Sequence, residues 1–231
     1  MSIKFCGIEP LSLVDLDGKL ACTIFTNGCN FRCPFCHNKD LVLNQNIQEI
    51  SFDEIINFLK LRKNMLDAVC VTGGEPTLHP DLEEKLIEIK KLGYYIKLDT
   101  NGSNPDMVID LYNKGLIDYV AMDIKNTLPK YSKTCDNVHV NLFNIQKTIN
   151  FLMTSGIEYE FRTTLINEFH TIEDIIEIGK WLNGAKKYFL QKFVNNNTCL
   201  QSNLNEISYI NAINFKKAVK DNFEKVELRG Y

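Results

Sequence analysis

Three cysteines fall within eight residues of one another in the run Gly28-Cys29-Asn30-Phe31-Arg32-Cys33-Pro34-Phe35-Cys36-His37-Asn38. Spaced x3 and then x2, the thiolates of Cys29, Cys33 and Cys36 can converge on three corners of one iron–sulfur cluster. Electron-transfer clusters of the [4Fe–4S] type use four cysteines, and no fourth lies nearby. The next is Cys70, inside an apolar run that reads as a buried strand. Three ligands leave one iron open to bind a small molecule. A structural zinc site needs a fourth ligand, and His37, directly after Cys36, is too close to share the metal comfortably. The remaining cysteines, Cys6, Cys22, Cys70, Cys135 and Cys199, are scattered along the chain and read as packing residues or free thiols.

Other segments with chemical potential fall at the ends of apolar runs. Gly73-Gly74-Glu75-Pro76 combines two glycines, which let backbone N–H and C=O groups approach a ligand closely, or form a simple turn. Asp99-Thr100-Asn101-Gly102 and Asp123-Ile124-Lys125 offer two carboxylates and an ammonium, suited to a zwitterionic amino acid moiety or a cation. The plainer alternative is a solvated strand end capped by short polar side chains. Arg162 stands late in another strand pattern, where it could meet a carboxylate-bearing ligand or form an ion pair.

These segments need elements to hold them. From residue 20 the chain alternates short β-rich apolar runs with amphipathic stretches of helical period. Strands are expected at Leu20–Thr26, Ala68–Thr72, Tyr94–Leu98, Tyr119–Ile124, Ile157–Leu165 and Tyr188–Phe193, with a tail strand near Val226–Arg229. Ser51-x-x-Glu54 and Thr171-x-x-Asp174 read as helix-opening boxes. Pro105 opens a further helix, Leu142–Thr154 forms another, and a last one is expected near Glu206–Asn222. Six strand–helix units with short connections imply parallel strands and right-handed crossovers. The fold class is α/β, and the expectation is a partial (β/α)6 TIM-type barrel; an open doubly wound sheet has the same periodicity. Parallel barrels carry their active sites at the C-terminal strand ends, where every segment above lies. One domain is expected over 1–231, with a lead-in at 1–19, a core at about 20–195 and a C-terminal helix and tail at 200–231.

Composition excludes some partners. A net charge of -3 gives no electrostatic case for nucleic acid. No apolar run approaches the length of a membrane span and the first residues lack a signal-peptide pattern, so the expected compartment is the cytoplasm.

The cysteine run, with an aromatic residue before its last cysteine, resembles the signature of the radical S-adenosylmethionine (SAM) superfamily. The resemblance implies a [4Fe–4S] cluster on Cys29, Cys33 and Cys36, whose open iron chelates the amino and carboxylate groups of SAM. One electron then cleaves SAM to methionine and a 5′-deoxyadenosyl radical that abstracts a hydrogen atom. By the same resemblance, Phe35 packs near the adenine, and Gly73, Gly74 and Glu75 belong to a GGEP motif that contacts the SAM amino group. Asp99-Thr100-Asn101-Gly102 and Asp123-Ile124-Lys125 look like motifs of the glycyl-radical-enzyme activases, including pyruvate formate-lyase activating enzyme. Lys125 would meet the SAM carboxylate, while Asp99, Thr100 and Asp123 would help bind a monovalent cation. Arg162 would be a further SAM contact, and Gln191 would stand in for the histidine that ends the sixth strand of pyruvate formate-lyase activases.

The runs SLVDLDGK (12–19), KLDTNGS (97–103), YVAMDIK (119–125), LQKF (190–193) and LRGY (228–231) are similar to the anaerobic ribonucleoside-triphosphate reductase activating proteins. The implied partners are that glycyl radical enzyme and a reduced flavodoxin or ferredoxin; no acid–base residue is implied. The alternatives are another glycyl radical enzyme as partner, a radical SAM enzyme acting on a small molecule, and an electron-transfer or iron–sulfur sensing module.

Overall fold

The computed structural model describes residues 2–136, 138–196 and 199–231, and the chain divides into two units. The first comprises Met1–Asn30, Asp40–Thr100 and Asn104–Ala121; the second comprises Phe31–Lys39, Asn101–Ser103 and Met122–Tyr231.

In the first unit, β1 (Phe5–Ser12) pairs antiparallel with β2 (Ala21–Thr26), and its register shifts at Phe5/Gly7 and again at Glu9/Ser12. β2, β3 (Ala68–Gly73) and β4 (Tyr95–Thr100) run parallel, with Val71 matched to Ile24 on one side and Leu98 on the other. Ile24, Val69, Val71, Ile96 and Leu98 are fully buried, the pattern of strands covered on both faces. A short helix, α1 (Lys39–Leu43), follows the cysteine loop. α2 (Phe52–Arg62) opens with the expected capping box of Ser51 and Glu54 and buries Ile55 and Leu59. α3 (Leu82–Lys91) buries Leu82, Leu86 and Ile89. α4 (Pro105–Asn113) starts with Asn104 as its cap and Pro105 in its first turn, where the missing N–H costs no hydrogen bond.

β5 (Tyr119–Asp123) passes from the first unit into the second. There the chain continues through α5 (Tyr131–Thr134), α6 (Leu142–Thr154), β6 (Glu158–Leu165), α7 (Ile172–Trp181), β7 (Ala185–Lys192), α8 (Tyr209–Val219) and β8 (Phe223–Arg229). β6, β7 and β8 are parallel, and Leu190 pairs with Thr163 and with Leu228. α7 opens on the expected box of Thr171 and Asp174. Neighbouring strands follow chain order: β1 to β5 in the first unit and β5 to β8 in the second. The α/β class with parallel strands in βα succession is therefore the one observed.

Three differences from the sequence reading have physical causes. β1 lies in the segment read as a lead-in: Pro10 and Gly7 obscure its strand pattern, and both are tolerated because β1 is an edge strand with shifted register. The last helix starts at Tyr209 because Ser208 caps it, its hydroxyl accepting from the Asn211 N–H, while Glu206 instead bridges to Ile166. α1 and α5 are short helices with too few residues to show a period. No helix among the described residues is long and apolar enough to cross a membrane.

Candidate functional site

In the first unit, the residues that lead into Cys29 are fastened to the ends of β2 and β3. The His79 Nε2–H donates to the Asn27 carbonyl at 2.8 Å, and Asn27 Nδ2 donates to Asn44 Oδ1 at 2.7 Å. Gly28 N–H donates to the Leu41 carbonyl at 2.8 Å. From the GGEP segment, Gly74 N–H reaches the Thr26 carbonyl at 2.8 Å and Glu75 N–H reaches the Gly28 carbonyl at 2.7 Å. This contact explains the two glycines. A Cβ on Gly74 would come 1.8 Å from the Gly28 carbonyl oxygen, and one on Gly73 would come 2.4 Å from the Thr26 backbone. The glycines thus permit a close approach within the chain's own backbone at the root of the cysteine loop.

Glu75 is 1% exposed. Its Oε1 accepts from the Thr77 backbone at 3.2 Å, from the Thr77 hydroxyl, and from the Thr100 hydroxyl at 2.7 Å. Glu75 therefore ties the β3 and β4 ends together. Asp99 is engaged as well. Its Oδ1 lies 3.0 Å from Lys97 Nζ and 3.7 Å from Cys70 Sγ, and its Oδ2 accepts from the Thr72 hydroxyl at 3.2 Å. Lys97 was missed by sequence reasoning, although a lysine inside a run of buried strand residues is a signal in itself. It is 1% exposed, and an ammonium there is tolerable only beside a carboxylate.

The second unit holds Cys33, Phe35, Cys36, Asp123, Lys125, Arg162 and Gln191. Asp123 is shared: its Oδ2 takes Lys125 Nζ at 2.9 Å and its Oδ1 takes Arg162 Nε at 2.9 Å. Burial alone would lower the Lys125 pKa, but the negative charge of Asp123, and of a Cys33 thiolate, outweighs it and holds the ammonium well above its usual value. The Lys125 nitrogen lies 5.9 Å from the centre of the buried Phe35 ring, which packs against Phe169 at 6.1 Å. Cys33 Sγ is 3.9 Å from Cys135 Sγ. That contact, followed by burial, pushes the Cys33 thiol well up, while Lys125 pulls it down. Burial likewise raises Cys36, against the same cation. Arg162 makes the ion pair that was one of its two readings, through Nε to Asp123. Gln191, half-buried on β7, stands opposite Thr164 of β6 and Arg229 of β8.

His170 was also missed, since no spacing marks it. Its Nδ1 accepts from the Ile166 N–H at 3.1 Å, and its Nε2–H donates to the Lys125 carbonyl at 2.9 Å. Both nitrogens being used in these senses fixes the neutral tautomer, and burial lowers its pKa in the same direction. His170 thereby holds the backbone of Lys125.

The donor set fits a cluster with an open iron: three cysteines within eight residues of loop, with a fixed ammonium acting on Cys33 and Cys36. Lys125 beside the Phe35 ring fits a ligand with a carboxylate and an aromatic base. The sequence profile of the Radical SAM superfamily matches residues 23–182. The chain belongs to the radical SAM superfamily. A [4Fe–4S] cluster and SAM are the cofactors that membership implies, and the chain is a radical SAM enzyme.

Among its relatives, a Methanocaldococcus jannaschii protein named as a glycyl-radical enzyme activating enzyme is 35% identical over 200 residues, covering 84% of this chain and 81% of that protein. The pyruvate formate-lyase-activating enzyme of Staphylococcus aureus is 28% identical over 190 residues, covering 77% and 74%. Among solved structures, Streptococcus suis SuiB bound to S-adenosylmethionine superposes with a TM-score of 0.66 at 15% identity. That match covers 88% of this chain and 48% of SuiB, so the chain spans about half of SuiB's length, and the likeness concerns the fold.

Proposed function

We propose that this radical SAM enzyme activates a glycyl radical enzyme by abstracting a hydrogen atom from a glycine Cα of that partner. The observation that carries the reading is the placement of Lys125, clamped by Asp123 and acting on Cys33 and Cys36 of the cysteine loop. Such a fixed cation suits recognition of an amino acid carboxylate beside the cluster. The activase class is supported by the relatives named above.

In this reading Cys29, Cys33 and Cys36 hold the cluster, and the glycine-rich root positions Cys29. Lys125 binds the SAM carboxylate, Arg162 is a further SAM contact that also orients Asp123, and Phe35 offers its ring to the adenine. Gly73, Gly74 and Glu75 present backbone at the SAM amino group, and Gln191 lies toward the ribose. When bound, the cluster and SAM supply a 5′-deoxyadenosyl radical after one-electron reduction. No residue of the chain is asked to move a proton, because a hydrogen atom is what is transferred.

Within the same proposal, the partner is anaerobic ribonucleoside-triphosphate reductase, supported by the runs SLVDLDGK (12–19) and LRGY (228–231). The electron donor is a reduced flavodoxin or ferredoxin, the compartment is the cytoplasm, and the chain works as one catalytic domain. A monovalent cation at Asp99, Thr100 and Asp123 would share Asp99 with Lys97, so replacing potassium by tetramethylammonium in the assay tests that element separately.

The experiment is iron reconstitution without oxygen, reduction with dithionite, addition of SAM and quantification of 5′-deoxyadenosine. Cys33→Ala should abolish the cluster absorbance and the product, whereas Cys135→Ala should retain both. Turnover by Cys33→Ala, or loss in Cys135→Ala alone, would overturn the ligand assignment.

A further inference from the structure

Helix α8 has two faces with different chemistry. Ala212, Phe215 and Val219 are buried. Tyr209, Ile213, Lys216, Lys217 and Lys220 recur at one-turn intervals on another face. That second face lines a hollow of about 450 Å³, completed by Glu227 and Leu228 of β8 and by Tyr231. Successive strand residues point to opposite faces of a sheet. A hollow touched by both Glu227 and Leu228 lies directly against β8. β8 pairs with β7 on one side, and among the described residues it has no strand on the other. That edge presents N–H and C=O groups ready to pair with an added strand.

The walls of the hollow differ in character. At one end are Lys216, Lys217 and Lys220, none of which makes an ion pair with a carboxylate among the described residues. The nearest acid of the lining, Glu227, is already paired with Lys225 at 3.0 Å. At the other end the Tyr209 and Tyr231 rings lie 6.2 Å apart. Tyr209 is 59% exposed and the adjacent Ile210 is 72% exposed. Lysines that only guard an edge against aggregation project from the strand itself. Here three cations stand on the end of α8 and at its C-cap, beside β8, and the exposed Tyr209 marks the aromatic end.

We propose that this groove docks an extended acidic segment of a partner protein, which adds as a strand to β8. Its carboxylates would meet Lys216, Lys217 and Lys220, and an aromatic or apolar side chain would pack on the outer surface of the Tyr209–Tyr231 ring pair. Strand addition takes its affinity from main-chain hydrogen bonds and its selectivity from alternate side chains. The inference does not depend on the activase reading, and its test involves neither SAM nor iron.

The test is fluorescence anisotropy on the full chain, with a labelled, end-capped peptide of about eight residues, long enough to form one strand. The peptide alternates glutamate and valine around one phenylalanine. Saturable binding is expected, weakened about tenfold or more in the variant carrying Lys216→Glu, Lys217→Glu and Lys220→Glu, whose fold is checked by circular dichroism. N-methylation of every second peptide amide on the pairing edge should abolish binding with the protein unaltered. No binding up to about 1 mM peptide, an affinity too weak for a specific partner, would overturn the proposal. So would equal binding by the charge-reversed variant or by the N-methylated peptide. A dimer of the free chain that the charge-reversed variant abolishes would assign the groove to a second copy and overturn the acidic partner.

Discussion

Gly74→Ala is the most revealing single substitution in the chain. Gly74 does not occupy the left-handed region, so its backbone conformation is open to any residue; what it lacks is room. The added Cβ would stand 1.8 Å from the Gly28 carbonyl oxygen and 2.6 Å from the Gly28 carbonyl carbon. The shortest ordinary C···O contacts are roughly 3.3 Å, so the two segments must separate by about 1.5 Å. Both are backbone, and neither can swing aside as a flexible side chain does. The separation breaks the 2.7 Å bond from Glu75 N–H to Gly28 and strains the 2.8 Å bond from Gly74 N–H to Thr26. Overpacking costs about 1–3 kcal/mol, and two net backbone hydrogen bonds add about 1 kcal/mol each. The expected destabilisation is therefore about 3–5 kcal/mol, a large part of a typical domain's stability. Gly93→Ala is the control: its φ is +85° but nothing lies within 4 Å of the added carbon, so only the left-handed strain of about 1–2 kcal/mol applies. Urea unfolding of both variants, with iron content after reconstitution, reads the difference. Gly74→Ala should also lose iron, because the displaced segment carries Cys29. If both variants unfold at the same urea concentration and bind the same iron, the account of the GGEP segment as the root of the cysteine loop is wrong.

Three further outcomes follow from the charged groups. Lys125→Met should weaken SAM binding roughly 10- to 150-fold, the equivalent of one charge-assisted contact of about 1.5–3 kcal/mol; equilibrium dialysis on the reconstituted protein showing unchanged affinity would reject the role. Lys97→Met leaves the Asp99 carboxylate buried without its cation and should cost about 3–5 kcal/mol. Adding Asp99→Asn should recover part of that loss, and additive losses in the double-mutant cycle would deny the pair. For His170, burial lowers the folded pKa, so below about pH 6.5 the unfolded chain binds a proton that the folded site refuses. Stability should be level in this contribution above that pH and fall as the pH drops below it. His170→Phe should flatten the slope of urea midpoint against pH; an unchanged slope would remove His170 as its source.

Much of the fold was legible because parallel strands announce themselves. Ala68–Thr72 is apolar throughout, as a strand covered on both faces must be, and the boxes at Ser51 and Thr171 start their helices as their chemistry requires. β1 was hidden because an edge strand tolerates Pro10 and a register shift beside Gly7, and so loses its periodicity. At the site, residue types in sequence offer candidates but not their partners. Asp123, Lys125 and Arg162 are separated along the chain, and only the fold shows that one carboxylate serves both cations. Gly73 and Gly74 signalled a close approach correctly, yet a glycine pair carries no information about what is approached. Cys135 and His170 act through neighbours distant in sequence, so no local pattern points to them, whereas Lys97 is marked by its place inside a run of buried strand residues.

The central claim is hydrogen abstraction from a partner's glycine, and isotope substitution tests it most directly. Anaerobic ribonucleotide reductase from the same source would be prepared with glycine deuterated at Cα and incubated with the reconstituted, reduced enzyme and SAM. Deuterium is expected in the 5′-deoxyadenosine product, with an EPR signal on the reductase that is a doublet with ordinary glycine and collapses on deuteration. Deuterium-free 5′-deoxyadenosine with no radical on the reductase, despite an intact cluster, would contradict it.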